Sequence, residues 1–151
     1  MVSIARLVEI LRSAGADFEL IRQDRPIRSA KDAEEYYPAE KAAPTLVLQS
    51  ESGLIACIVS ANRGRLDFGF MKQQFGFSKL KMASADKVQQ QTGYQVGAIP
   101  LVGLELPCIF DESLLQFDYI YGGSGDELLT LKIRPADVKK INQIIGILPG
   151  K

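Results

Sequence analysis

The densest grouping of residues suited to holding another molecule runs from Thr92 to Gly103, where Gly93, Gly97, Gly103 and Pro100 surround Tyr94. Glycine permits positive φ and close approach to the backbone, so this run is a candidate binding wall. On spacing alone, Gly97 and Gly103 read as turn residues, and Tyr94 either packs its ring into the core or offers it to a ligand. The chain contains no histidine. Ser-His-Asp and Cys-His catalysis, His-ligated zinc and an imidazole base are therefore excluded within it. Any catalysis rests on lysine, carboxylates, hydroxyls, backbone amides or the substrate itself, and no motif asks for a metal or a cofactor. Asp111 follows an apolar run and precedes a helix-like turn, a position that suits an N-cap as well as a polar group in a site. Gly122-Gly123-Ser124-Gly125-Asp126 lacks the Gly-Lys-Ser/Thr of a nucleotide loop and no helix follows it, so a hairpin turn is the expectation.

These groups need a scaffold, and the composition sets its scale. With 151 residues and 46% hydrophobic content, one well-cored domain spanning 1–151 is expected. Eighteen basic and eighteen acidic residues cancel. Contact with nucleic acid then depends on a local patch rather than on a broadly positive surface. Arg22, Arg25, Arg28, Lys31 and Lys41 form one basic grouping and Arg63, Arg65 and Lys72 a second, both diluted by acidic neighbours. Cys57 and Cys108 sit within apolar runs and lack C-x-x-C spacing. Buried thiols in a cytoplasmic protein are expected, and no run is long enough to span a membrane.

Periodicity places the elements. Ile4, Leu7, Val8 and Leu11 behind Ser3 predict a first helix closed by Gly15. A short strand at Phe18 to Ile21 follows, then a second helix with Ser29 as its cap and Asp32, Glu34 and Glu35 near its start. Thr45–Gln49 and Leu54–Val59 flank a Ser-Glu-Ser-Gly turn and predict a hairpin of central strands. Helices are expected over Leu66–Phe75, stopped by Gly76, and from Ser84 to about Thr92, ended by Gly93, with a short strand at Leu80–Met82 between them. Strands at Cys108–Phe110, Tyr119–Tyr121 and Leu128–Ile133 come next, with a turn or short helix at Glu112–Gln116. A final helix begins at Pro135 and runs through Ile145. Strands and helices mix without strict alternation, which points to an α+β fold with a curved mixed sheet.

In this order, Thr45-Leu46-Val47-Leu48, Gly64-Arg65-Leu66-Asp67, Thr92-Gly93-Tyr94-Gln95-Val96-Gly97, Asp111-Glu112-Ser113-Leu114-Leu115 and Gly122-Gly123 resemble the YbaK/prolyl-tRNA synthetase-associated editing family. The resemblance covers nearly the whole chain. It implies a barrel-like mixed sheet flanked by helices, and hydrolysis of the ester joining a wrong amino acid to the 3′ end of a tRNA. An aminoacyl ester is already activated, so a site that orients it, donates N–H groups to the developing oxyanion and admits water can work without imidazole.

The resemblance also directs attention to single residues. The family usually has lysine before the Thr-Leu strand start, where this chain has Pro44, which supplies neither a cation nor a backbone donor. Lys41 becomes the candidate catalytic residue if the segment loops back; otherwise it is a solvated lysine beside Glu40. Thr45, Tyr94, Gly97, Gly103, Asp111, Gly122 and Gly123 become candidate substrate-binding residues, with the amides of Gly97 and Gly103 facing the ester or the terminal adenosine. The family commonly has Ser-Pro-Leu-Gly where this chain has Pro100-Leu101-Val102-Gly103, so its amino-acid preference is expected to differ. The implied partners are the acceptor end of a mischarged tRNA and an aminoacyl-tRNA synthetase, with no membrane. The implied activity is deacylation in trans. The alternative, motivated by Pro44, is a catalytically silent member that binds an aminoacyl-tRNA end, a nucleotide or a protein.

Overall fold

Helix α1 (Ile4–Ser13) begins where the Ser3 hydroxyl accepts the Arg6 N–H and ends where Gly15, at φ +68°, lets the Ala16 and Gly15 amides return to Leu11 and Arg12. The computed structural model to which it belongs describes residues 3–27 and 30–150. The order continues β1 (Phe18–Arg22), α2 (Ala30–Ala33), β2 (Thr45–Ser50), β3 (Gly53–Ile58), α3 (Phe68–Phe75), β4 (Leu80–Met82) and α4 (Ala85–Thr92). It closes with β5 (Cys108–Asp111), β6 (Ile120–Gly123), β7 (Leu129–Ile133), α5 (Pro135–Ile141) and β8 (Ile144–Leu148). The expected Ser29 cap of α2 lies outside the described residues. Ser84 and Gly93 bound α4 as expected, and Gly76 ends α3, which starts at Phe68 because the Asp67 carboxylate caps the Phe70 N–H at 3.0 Å.

The class is α+β, and the strands divide into two sheets without closing a barrel. A five-stranded sheet has the order β4-β2-β3-β5-β8, antiparallel through β4, β2 and β3, then parallel through β5 and β8. An antiparallel three-stranded sheet has the order β1-β7-β6. Strand β3 reads as an uninterrupted apolar run because both of its faces are covered. Ala56 and Ile58 join Leu7, Leu11, Phe110, Leu131 and Ile133 in the core between the sheets. Ile55 and Cys57 turn the other way, onto Leu48, Met71 and Ile109.

The expected final helix is corrected by the structure. It ends at Ile141, and Ile144–Leu148 forms β8, parallel to β5. The Asn142 amide donates to the Leu101 and Val138 carbonyls at 2.8 and 2.9 Å, which turns the chain, and β-branched isoleucines then supply an edge strand. Gly146 in that strand lies against the Phe75 ring, where an added Cβ would sit 2.6 Å from Cδ1. The hairpin expected at Gly122–Asp126 also begins later. Gly122 and Gly123 are the last residues of β6, and the turn into β7 is made by Ser124–Leu128, with Gly125 at φ +99°.

Candidate active site

The two sheets meet where Ala42 bridges to Tyr121 and the Ala43 N–H donates to the Tyr121 carbonyl at 2.8 Å. Beside this seam lies a cavity of about 370 Å³. Pro44 and Thr45 at the start of β2 form one wall, Val96 to Ile99 another, and Gly122 and Gly123 at the end of β6 a third. Tyr37, after α2, stacks on Tyr121 with ring centroids 4.7 Å apart and planes within 4°. Both rings line the cavity, and burial raises the Tyr37 hydroxyl above its usual pKa.

The glycines act by letting backbones meet. A Cβ on Gly123 would lie 1.9 Å from the Ile99 carbonyl oxygen, and one on Gly122 would lie 2.7 Å from Leu101 and 2.8 Å from the Ala43 oxygen. Their absence of side chains seats the Ile99–Leu101 segment on β6, where the Leu101 N–H donates to the Gly123 carbonyl at 2.9 Å. At Gly97 an added Cβ would meet nothing within 4 Å, so this residue opens space in the cavity wall instead of closing it.

Thr45 is the unusual polar residue of the site. It is 8% exposed, and its hydroxyl is shielded without a hydrogen-bond partner. A buried hydroxyl left in that condition costs free energy, and Thr45 is itself one of the residues that line the cavity. Gln23, by contrast, is fully engaged. Its amide donates to the Arg25 and Glu127 carbonyls, both at 3.0 Å, and its oxygen accepts the Thr130 hydroxyl at 2.6 Å. Ser124 reinforces the same turn by donating to the Leu129 carbonyl at 2.6 Å and accepting the Asp126 N–H at 3.2 Å. This fixed turn carries Asp126 and Glu127, the charged residues that line the cavity among the described residues; no lysine or arginine lines it there.

Thr45, Gly97, Gly122 and Gly123 are thus brought together. Lys41, Tyr94, Gly103 and Asp111 are not among the lining residues. The Lys41 ammonium pairs with Asp118 at 3.2 Å. Tyr94 is buried against Gly125, and Gly103 makes a turn at φ +86°. Asp111, fully buried, accepts the Ser60 and Ser113 amides, the Ser113 hydroxyl and the Arg63 guanidinium at 2.7 to 2.9 Å, so it caps the turn after β5 and ties β3's exit to it. Sequence reasoning did not single out Tyr37, Tyr121 or Glu127 for the site, and it marked Gln23 only as part of Gln23-Asp24-Arg25, a stretch that departs from the family pattern after the first strand. Their types are ordinary; the antiparallel pairing of β7 with β1 and β6 brings Gln23, Tyr121 and Glu127 to one place, and stacking on Tyr121 adds Tyr37.

A family model described as an aminoacyl-tRNA editing domain matches residues 24–141. The uncharacterised protein YwhH of Bacillus subtilis is 26% identical over 104 residues, which cover 68% of this chain and 66%, just under two thirds, of that relative. Among solved structures, the hypothetical protein APE2540 superposes with a TM-score of 0.78 at 24% identity, over 93% of this chain and 96% of that one. A candidate trans-editing enzyme for prolyl tRNA synthetase superposes with a TM-score of 0.76 at 24% identity, over 95% of this chain and 96% of that one. At those identities the structures establish a shared fold. The family match spans well over half the chain and includes every element that walls the cavity, and the chain belongs to the aminoacyl-tRNA editing domain family.

Proposed function

We propose that the chain hydrolyses the ester of mischarged tRNA in trans, with the aminoacyl group held in the cavity between the sheets. The observation that carries this reading is the buried, unpartnered Thr45 hydroxyl in that cavity's wall. In the proposed step the hydroxyl donates to the ester carbonyl oxygen, and Gly97 leaves room for the acceptor end to approach the backbone. Water adds to the carbonyl carbon and the tetrahedral intermediate collapses. The ribose oxygen leaves and takes a proton, giving free amino acid and uncharged tRNA. The work is orientation and oxyanion stabilisation of an already activated ester, which fits a chain without histidine. An aminoacyl-tRNA synthetase that mischarges is the natural source of the substrate, and the cytoplasm its place.

The test is amino-acid release from a panel of 3′-labelled mischarged tRNAs. Release above the no-protein rate on at least one pair is expected. A folded sample that releases none contradicts the proposal and favours the second reading, a silent binder of the acceptor end, which rests on Pro44 and on the lack of a cation among the described residues lining the cavity.

A further inference from the structure

The charge in the cavity wall narrows the substrate beyond an ester. Its described lining is largely apolar, from Ala42, Ala43, Leu46 and the two stacked tyrosines, and its charged members are Asp126 and Glu127. Such a surface repels phosphate and attracts an ammonium group. The turn that carries them is held in place, and the Asp126 carboxylate with it. Gln23 grips the Glu127 carbonyl, Ser124 accepts the Asp126 N–H, and the Asp126 carboxylate itself accepts the Leu128 N–H at 2.8 Å. Thr45, more than nine-tenths buried and with its hydroxyl unpartnered in the same wall, independently marks a polar ligand.

We propose that Asp126 and Glu127 recognise the free α-ammonium of the aminoacyl group, so that the site acts on esters with an unblocked amine and rejects the same esters once the amine is acylated. This inference rests on the deacylase reading for its substrate. An aminoacyl ester carries an ammonium next to its carbonyl, and the cavity offers anionic oxygen for the first and a hydroxyl for the second. Acylation removes the charge, adds bulk and leaves the carboxylates without a partner. The chemical class is then a primary or secondary amine bearing an α-ester, whatever its side chain.

Single-turnover deacylation of one mischarged tRNA is compared with that of the same tRNA after N-acetylation. The wild type is expected to cleave the free-amine form at least about tenfold faster, and Asp126→Asn/Glu127→Gln to shrink that ratio several-fold. The amide introduced by Asp126→Asn retains an oxygen to accept the Leu128 N–H, and Glu127 is exposed, so the double variant is expected to fold. Equal cleavage of the two forms, or an unchanged ratio in the variant, overturns the inference while leaving the deacylase intact. If no tRNA ester is cleaved, the deacylase reading fails and a nuclear magnetic resonance titration still decides the recognition. Alaninamide shifting Thr45, Gly97 and Glu127 while N-acetylalaninamide does not supports it; equal shifts, or none, overturn it.

Discussion

Replacing Gly123 by alanine places a methyl carbon 1.9 Å from the Ile99 carbonyl oxygen and 2.8 Å from its carbonyl carbon. Both are backbone atoms, so no side chain can rotate away; β6 or the Ile99–Leu101 segment must move by more than an ångström. Overpacking of this kind costs about 1 to 3 kcal/mol. The movement also strains or breaks the 2.9 Å Leu101–Gly123 hydrogen bond, whose buried donor then adds about 1 to 3 kcal/mol. The expected total is about 2 to 6 kcal/mol, which at a urea m-value of about 2 kcal/mol/M lowers the midpoint by about 1 to 3 M. Gly97→Ala is the matched control. Its added carbon meets nothing within 4 Å, so its midpoint is expected to stay within about 0.3 M of wild type while the cavity loses a methyl's volume. Urea unfolding followed by circular dichroism measures both. A Gly123→Ala midpoint indistinguishable from wild type at an unchanged m-value refutes the claim that backbone contact at this glycine seats the cavity wall.

Asp111→Ala removes the acceptor of four hydrogen bonds and the carboxylate facing Arg63, so urea unfolding is expected to show a loss of about 3 to 5 kcal/mol, with acceptor-end binding retained wherever the variant is folded. Lys41→Ala breaks an ion pair whose Asp118 side chain is largely exposed, so stability is expected to fall by less than about 1 kcal/mol and deacylation to stay within about twofold; loss of turnover with stability retained would return the lysine to the chemistry. Burial pushes Cys57 and Cys108 up to about 12 from 9.0, with Cys108 adding to the effect on Cys57. The unfolded thiols lose protons first, so their contribution is intact below pH 9 and is lost as pH rises toward 12; equilibrium unfolding across that window is expected to show falling stability, and a thiol reagent at pH 8 to label neither cysteine until the chain unfolds.

The local signals of the fold were readable because they depend on neighbours in sequence. Ser3, Ser84, Gly76 and Gly93 cap helices through groups three or four residues away, and the hairpin of β2 and β3 closes over a tight turn. Strand β8 was hidden because Ile141, Ile144 and Ile145 continue a helical spacing, and what ends the helix is an Asn142 contact to Leu101, some forty residues away in the chain. The glycine pair at the end of β6 carries the same ambiguity. From sequence it suits a turn, whereas its use depends on a carbonyl from a distant segment. Thr45 was visible as a hydroxyl at a strand start, but its lack of a partner is a property of packing alone. Asp111 reads equally as cap and site residue until its four donors are seen to come from its own turn and from the residues following β3.

In the proposed reaction the Thr45 hydroxyl serves a bound ester and not the fold. Thr45→Val keeps the shape and removes the oxygen, and because no protein group pairs with that oxygen, stability is expected to be unchanged or higher. The decisive measurement is the single-turnover deacylation rate of Thr45→Val beside wild type on the mischarged tRNA that wild type cleaves best. A loss on the order of tenfold to a hundredfold is expected, with the variant fully folded. A variant that deacylates at the wild-type rate contradicts it.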